Sequence, residues 1–426
     1  MANNDFAFEA VPPEKTVSGF RIAIVIIGII IALPAFITGS DLGFRLGFRN
    51  GVLAITLGGL ILTIIAMATG TIGAKTRLNT AMIIKRTFGT LGGRFVSGVL
   101  AVACLGWFGV TAEVFGRSLH QMLVGQAWDA LPPSAYILLG GLLMVATTIF
   151  GFAALQRLSN ITVPMLAVLI AYTAFLTLKS GSLGALGQAA AGQASLGDGI
   201  SAIVGGYAVA VTIFPDLCRF SKSSRGAQMA ALLTYTIAMP CILMLAMIPS
   251  IVTGEHDLTV IMTTLGLGLP ALALLVFKAW ATNSGNLYFA SLSAANFLGY
   301  RGLKTIIIGA GVLGVLIAVS GLTDRLIGFL VALGVSIPPI AGIYIADFLH
   351  HGADKYMREA HVQSIRYGAF ACWAFGIAVA ILARMDVVSL SGISAIDSMV
   401  AAAASYLLLR RLRPAADSQV LSTEVS

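Results

Sequence analysis

The sequence predicts an all-α integral membrane fold, and three observations predict it. The chain of 426 residues has a mean hydropathy of +0.93. Only 10% of its residues are charged, against roughly 25% in soluble globular domains. Those charges fall in short clusters between apolar runs of ~20 residues, the length at which a helix crosses a hydrocarbon core. Finally, 47 glycines are more than a smooth helical bundle tolerates unless close packing or helix breaks require them. A soluble enzyme, a disordered chain and a disulfide scaffold are thereby excluded.

Twelve apolar segments predict twelve transmembrane helices. The first, 22–39, is Ile-rich and follows Arg21; the second, 52–73, stops before Lys75. The third, 95–115, lies between Arg94 and Arg117, and the fourth, 136–155, opens after Pro132-Pro133. Arg157 separates the fourth from the fifth, 161–178, which stops before Lys179. The sixth, 200–214, is short and closed by Pro215; the seventh, 229–252, follows Arg225. The eighth, 267–290, carries Lys278; the ninth, 305–321, begins after Lys304. The tenth, 326–348, contains Pro338-Pro339 and runs to Asp347. The last two, 367–382 and 393–409, end near Arg384 and Arg410.

Basic residues orient the chain, because they concentrate on the cytoplasmic side. With the N-terminus inside, nineteen of the 26 Lys and Arg lie on the inner side and six on the outer; Lys278 alone lies within a span. Both termini are therefore expected in the cytoplasm, with the chain in the cell's inner membrane. Residues 1–19 read as a polar cytoplasmic segment with no signal peptide. Residues 20–413 read as one transmembrane domain (repeat one about 20–178, repeat two about 199–348, two extra helices about 367–409), and 414–426 as a cytoplasmic tail. The net charge of +8 marks topology and not a nucleic-acid surface, since the cations form no stripe. Cys104, Cys218, Cys241 and Cys372 have no metal-ligand spacing, and the histidines lie in loops or at span ends, so neither a cofactor nor a catalytic cluster is expected.

Two segments look broken. Gly28, Pro34 and Gly39 interrupt the first span; Gly205-Gly206-Tyr207 lies within the sixth, with Pro215 at its end. Proline removes a helical hydrogen bond and clashes with the preceding turn. Irregular backbone at membrane depth is tolerated only where protein or a cavity surrounds it. Broken helices at positions one and six point to an inverted five-plus-five repeat with a binding site between the breaks. The plainer reading is that Gly and Pro are simply common in membrane helices.

Five motifs occur in a recognisable order: Ile72-Gly73-Ala74-Lys75-Thr76 with Leu78, Gly106-Trp107-Phe108-Gly109-Val110, Asp216-Leu217-Cys218-Arg219-Phe220, Trp280-Ala281-Thr282-Asn283, and Ile337-Pro338-Pro339 running to Ile345-Ala346-Asp347. Together they resemble the nucleobase-cation-symport-1 family, near its bacterial cytosine-permease branch. The resemblance implies a LeuT-like fold and a permease, not an enzyme, that imports cytosine or a related nucleobase-like heterocycle by cation symport. It implies a monomer in the lipid bilayer, no cofactor, and sodium or a proton as coupling ion.

The resemblance also implies roles. Trp107 and Tyr207 match the family's stacking positions. Trp107 lies about 12 residues, or ~18 Å, into its span, too deep for an interfacial anchor. Asn283 and Asn286 either read a ring edge or bond between helices, because a lone buried amide is costly. Thr111, one turn after Trp107, is a weaker candidate. Cys104 stands where the cytosine permeases carry a glutamine, and Gly206 where they carry a serine; a thiol cannot supply an amide's paired donor and acceptor. These departures leave open which heterocycle is carried.

The implied cation site comprises the carbonyls of Gly28, Ile31 and Lys278 with the Thr282 hydroxyl, while Ala281 occupies a position where sodium-coupled relatives have a second hydroxyl. An ammonium in mid-span costs about 2.5–3.5 kcal/mol on insertion scales, so Lys278 either substitutes for the ion, carries a proton, or turns toward a watery cavity. Glu113 is expected to pair with Arg117, four residues on. The same architecture could also serve an amino acid or other zwitterion, or a thiamine-precursor pyrimidine without sodium.

Overall fold

The computed structural model describes residues 6–30, 33–123, 131–150, 152–180, 183–187, 194–254, 268–322, 326–357, 363–385 and 387–412. Among the described residues all regular elements are helical: α1 (Gly19–Ile30), α2 (Leu33–Thr76), α3 (Thr80–Phe88), α4 (Thr90–Leu123), α5 (Pro133–Thr148), α6 (Phe152–Ser180), α7 (Leu196–Thr212), α8 (Pro215–Cys218) and α9 (Ser224–Ala231). A π-helical turn, Leu232–Ala238, leads into α10 (Met239–Thr253), followed by α11 (Gly268–Leu298), α12 (Leu303–Val319), α13 (Leu326–Ser336), α14 (Pro338–His351), α15 (Asp354–Met357), α16 (Tyr367–Arg384) and α17 (Ser394–Leu412).

Six of these stretches are long and apolar enough to cross a membrane: Thr38–Thr76, Thr90–His120, Leu196–Cys218, Ser224–Thr253, Ala332–His351 and Tyr367–Arg384. Ala279–Leu298 and Leu303–Val319 qualify as a pair bent by 113°, and Gly19–Ile30 and Pro133–Thr148 are shorter apolar helices.

Several expected boundaries move. The expected loop after residue 39 is helical, and α2 turns at Gly47, whose φ of 69° is open to glycine and strained for other residues. The expected fourth span ends at Thr148, and Arg157 lies inside α6. The expected tenth span is two helices meeting at Ile337, because Pro338 and Pro339 favour a new helix start over a helix interior.

The largest correction concerns the sixth span. The α7 helix runs unbroken through Gly205-Gly206-Tyr207 and is interrupted at Ile213 and Phe214, just before Pro215. Nothing lies within 4 Å of a Cβ built on Gly205 or Gly206; these glycines open a wall without breaking the helix. The break belongs to Pro215, which has no N–H for the turn before it. In the first span the description of α1 ends at Ile30 and that of α2 begins at Leu33, so residues 31–32 lie outside the described residues.

Neighbouring elements pack closely on the break before Pro215. The α11 helix runs along α4, and α2 packs against α7 and α10. Gly73 lets α2 approach the break so closely that a Cβ there would stand 2.7 Å from the Cα of Pro215. The N-terminal segment clamps the same end: Asn79 Nδ2 and Arg219 Nη1 donate to the Ala7 and Phe6 carbonyls at 2.7 and 2.6 Å. The Asp216 carboxylate accepts from the Thr80 backbone N–H at 2.6 Å and so satisfies an open amide at the start of α3.

Candidate functional site

Where α1, α2, α4, α7, the π turn and α11 converge they enclose a cavity of about 120 Å³. That is the scale of the ~150 Å³ apolar cavity known to accept a benzene ring. Among the described residues its lining has no charged side chain: α1 supplies Ile26, Ile29 and Ile30, and the other walls supply aromatic rings, hydroxyls and one amide.

Of the residues singled out in the sequence, Cys104, Trp107, Thr111, Gly206, Tyr207, Thr282 and Asn286 all line this one cavity. Trp107 is held by an edge contact with Phe329 of α13 (centroids 5.9 Å apart, planes at 73°), for which Gly106 leaves room. Tyr207 is held likewise by Tyr235 of the π turn (6.5 Å, 77°). Edge contacts of this kind are a favoured geometry for aromatic pairs and hold each ring's orientation. The open backbone at Gly206 lies beside Tyr207.

The two asparagines separate. Asn283 is fully buried outside the lining, and its Nδ2 donates to the Phe108 carbonyl at 2.9 Å and to Met144 Sδ at 3.1 Å. It is a bond between α4, α5 and α11, one of the two roles the sequence left open. A carbonyl oxygen can only accept, so Asn283 must present its amide nitrogen to Phe108 and its Oδ1 away from it. That Oδ1 accepts from Asn286 Nδ2 at 3.1 Å. Asn286 therefore keeps its Oδ1 and a second N–H for the cavity. Nearby, Trp280 Nε1 donates to Thr147 Oγ1 at 3.0 Å, pinning α11 to α5.

Beside the cavity, Thr282 Oγ1 lies 3.5 Å from the Gly28 carbonyl, across from α1 to α11. Ala281 is buried next to it and carries no oxygen on its side chain. Ile31 and the Lys278 side chain lie outside the described residues. Glu113 pairs with Arg117 at 2.6 Å, as its spacing suggested. No cluster of three His, Cys, Asp or Glu that could hold a metal occurs among the described residues.

Sequence reasoning missed Tyr235, Thr38 and Phe289, which also line the cavity. A signal existed for the first: Thr234-Tyr235-Thr236 is a polar triplet inside an apolar span. Gly and Pro drew attention to the first and sixth helices instead.

Apolar helices long enough to cross a membrane, gathered around a small cavity lined by rings, hydroxyls and an amide, are the arrangement of a membrane transporter. The chain belongs to the family of permeases for cytosine/purines, uracil, thiamine and allantoin, whose model matches residues 10–408. Cytosine permeases of Escherichia coli strains K12 and O157:H7 are 30% identical to it over 410 residues, covering 96% of this chain and 94% of theirs. Among solved structures, the nucleobase-cation-symport-1 transporter Mhp1, closed with bromovinylhydantoin bound, superposes with a TM-score of 0.79 at 19% identity, covering 96% of each chain. A Na+-coupled sialic acid symporter, substrate-bound and outward-open, gives 0.70 at 10% identity over 93% of this chain and 90% of its own. The fold is thus the LeuT-like one that the five motifs implied.

Proposed function

We propose that this permease carries a neutral, planar, single-ring heterocycle of the nucleobase kind, taken into the cell by cation symport and alternating access. One observation carries the reading: two aromatic rings from different helices, Trp107 and Tyr207, line the cavity together with an oriented amide at Asn286, and no charged side chain joins them among the described residues. A flat uncharged base needs stacking surfaces and a few polar groups for its edge. The cytosine permeases among its relatives, and the hydantoin held by Mhp1, support the same class of ligand. Cytosine, a related pyrimidine or a hydantoin-like ring would each suit the volume; Cys104 and Gly206 remove two polar contacts expected of a cytosine site.

The coupling ion is sodium or a proton. Thr282 and the Gly28 carbonyl supply two oxygens of a cation site, and Ala281 withholds a third. Twelve spans with both termini in the cytoplasm, one inner-membrane domain and a functional monomer complete the reading. A zwitterion carrier on the same fold is less favoured, because among the described residues the cavity has neither a basic nor an acidic side chain for the two charges. Uptake by proteoliposomes of a panel of pyrimidines, purines, hydantoins, thiamine precursors and amino acids tests it: a neutral heterocycle should be concentrated, and amino-acid uptake alone would overturn the proposal.

A further inference from the structure

One residue lining the cavity carries a polar group that the fold itself leaves unused among the described residues. Tyr235 is fully buried, is among the residues lining the cavity, and its buried hydroxyl has no hydrogen-bond partner among the described residues. A buried hydroxyl left without a partner destabilises the folded state relative to a satisfied one, so most native tyrosines avoid it. Tyr344, also fully buried, avoids it: its hydroxyl donates to the Thr212 carbonyl at 2.7 Å.

Local geometry explains how Tyr235 comes to stand there. It sits in the π turn Leu232–Ala238, a wider coil that appears mostly as a single turn and often at functional sites. The next residue, Thr236, meets Thr63 of α2 at 2.7 Å through their hydroxyls, and Gly59 of α2 lets that helix approach the Tyr235 backbone, a Cβ there standing 2.5 Å from its carbonyl oxygen. The turn is thus clamped to α2 on one side while the Tyr235 ring is wedged between Tyr207 and Phe214 (centroids 6.5 and 5.8 Å).

We propose that Tyr235 is a specificity-determining residue of the transport site: its hydroxyl donates a hydrogen bond to an acceptor on the bound heterocycle, a ring carbonyl oxygen or an unprotonated ring nitrogen. This rests on the reading of the cavity as a heterocycle site. Asn286 offers an amide on one wall and Tyr235 a hydroxyl on another, so a ring bearing both a donor and an acceptor is selected over a purely hydrocarbon ring of equal size. The cost of leaving the hydroxyl unpaired in the empty protein is recovered only when such a ligand is bound.

The test is Tyr235→Phe in the full-length protein, which keeps the ring and removes only the oxygen. The panel above is screened for binding to the wild type, and the tightest ligand is then titrated into both proteins. The variant should bind it roughly three- to tenfold more weakly. Without ligand, it should melt at the same temperature as the wild type or higher, since nothing loses a partner. Tyr344→Phe calibrates the sign, because it removes a satisfied hydroxyl and should melt lower. Unchanged affinity in Tyr235→Phe would overturn the proposal while leaving the heterocycle reading intact, and so would a fall in melting temperature like that of Tyr344→Phe. A wild type that binds no heterocycle in the panel would instead overturn the reading, and the proposal with it.

Discussion

Asn286 donates its amide nitrogen to Asn283 Oδ1 across 3.1 Å, and that bond decides which end of Asn286 faces a ligand. The direction is inherited from the Phe108 carbonyl, which can only accept from Asn283. Truncating Asn283 therefore reaches the site without touching it. Asn283→Ala should weaken ligand binding about tenfold by freeing Asn286 to rotate, and Asn286→Ala should weaken it at least as much. The double variant should be little worse than Asn286→Ala alone, since both act through one amide. Titration of the three variants checks this; additive losses would show that Asn283 acts elsewhere.

Cys104 and Gly206 stand where the resemblance to the cytosine permeases implies a glutamine and a serine. A Cβ on Gly206 meets nothing within 4 Å, so Gly206→Ser should fold with stability within about 0.5 kcal/mol of the parent. The added hydroxyl reaches the cavity, and Gly206→Ser combined with Cys104→Gln should raise cytosine affinity relative to other ligands in a competition assay. Equal ranking of ligands before and after would show that these positions do not set preference.

Sodium should matter less here than in relatives with a complete oxygen set. Thr282 lies beside the Gly28 carbonyl, but Ala281 contributes no side-chain oxygen, and a weakly coordinated ion is held weakly. Uptake measured with and without sodium at fixed pH should change less than about tenfold, and a change in pH should move it more. An absolute sodium requirement at every pH would contradict this.

Away from the cavity, Asp347 is fully buried and accepts from Lys355 Nζ at 2.8 Å and Tyr406 Oη at 2.6 Å, with Tyr356 also bonded to it. Burial pushes the Lys355 ammonium below the usual lysine value, and Asp347 opposes that shift. Removing the carboxylate by Asp347→Ala strands the cation and should cost about 3–5 kcal/mol. Tyr406→Phe should cost nearer 1 kcal/mol. A lysine whose folded value is lowered is destabilising below that value, and the penalty fades as pH rises toward its unfolded ~10.4. The Asp347→Ala deficit should accordingly shrink at alkaline pH in thermal melts. A deficit that does not change with pH would mean that the stranded cation is not its source.

The legible part of this protein was its apolar rhythm and its aromatic residues. Runs of ~20 apolar residues marked most helices, and Trp107 and Tyr207 were found because few mid-span residues have a face suited to a ring. Asn283 and Asn286 could not be told apart, since three residues on a helix turn 300° and leave the two on neighbouring faces. Gly205-Gly206 was misread as a break because a glycine that opens a wall and one that ends a helix look alike in sequence. Tyr235 was hidden by its π turn, which shifts the helical register that periodicity assumes. Asp347 reads as a helix end in sequence; only the fold brings Tyr406 to it from 59 residues away.

The central claim, that a neutral planar heterocycle stacks in this cavity, is tested most directly by titrating the best ligand of the panel into wild type and Trp107→Ala, with protein in the membrane verified for both. Loss of an aromatic stacking partner together with its buried area should weaken binding at least tenfold, with amino acids bound by neither protein. Equal affinity in the two proteins, or a zwitterion as the preferred ligand, would contradict it.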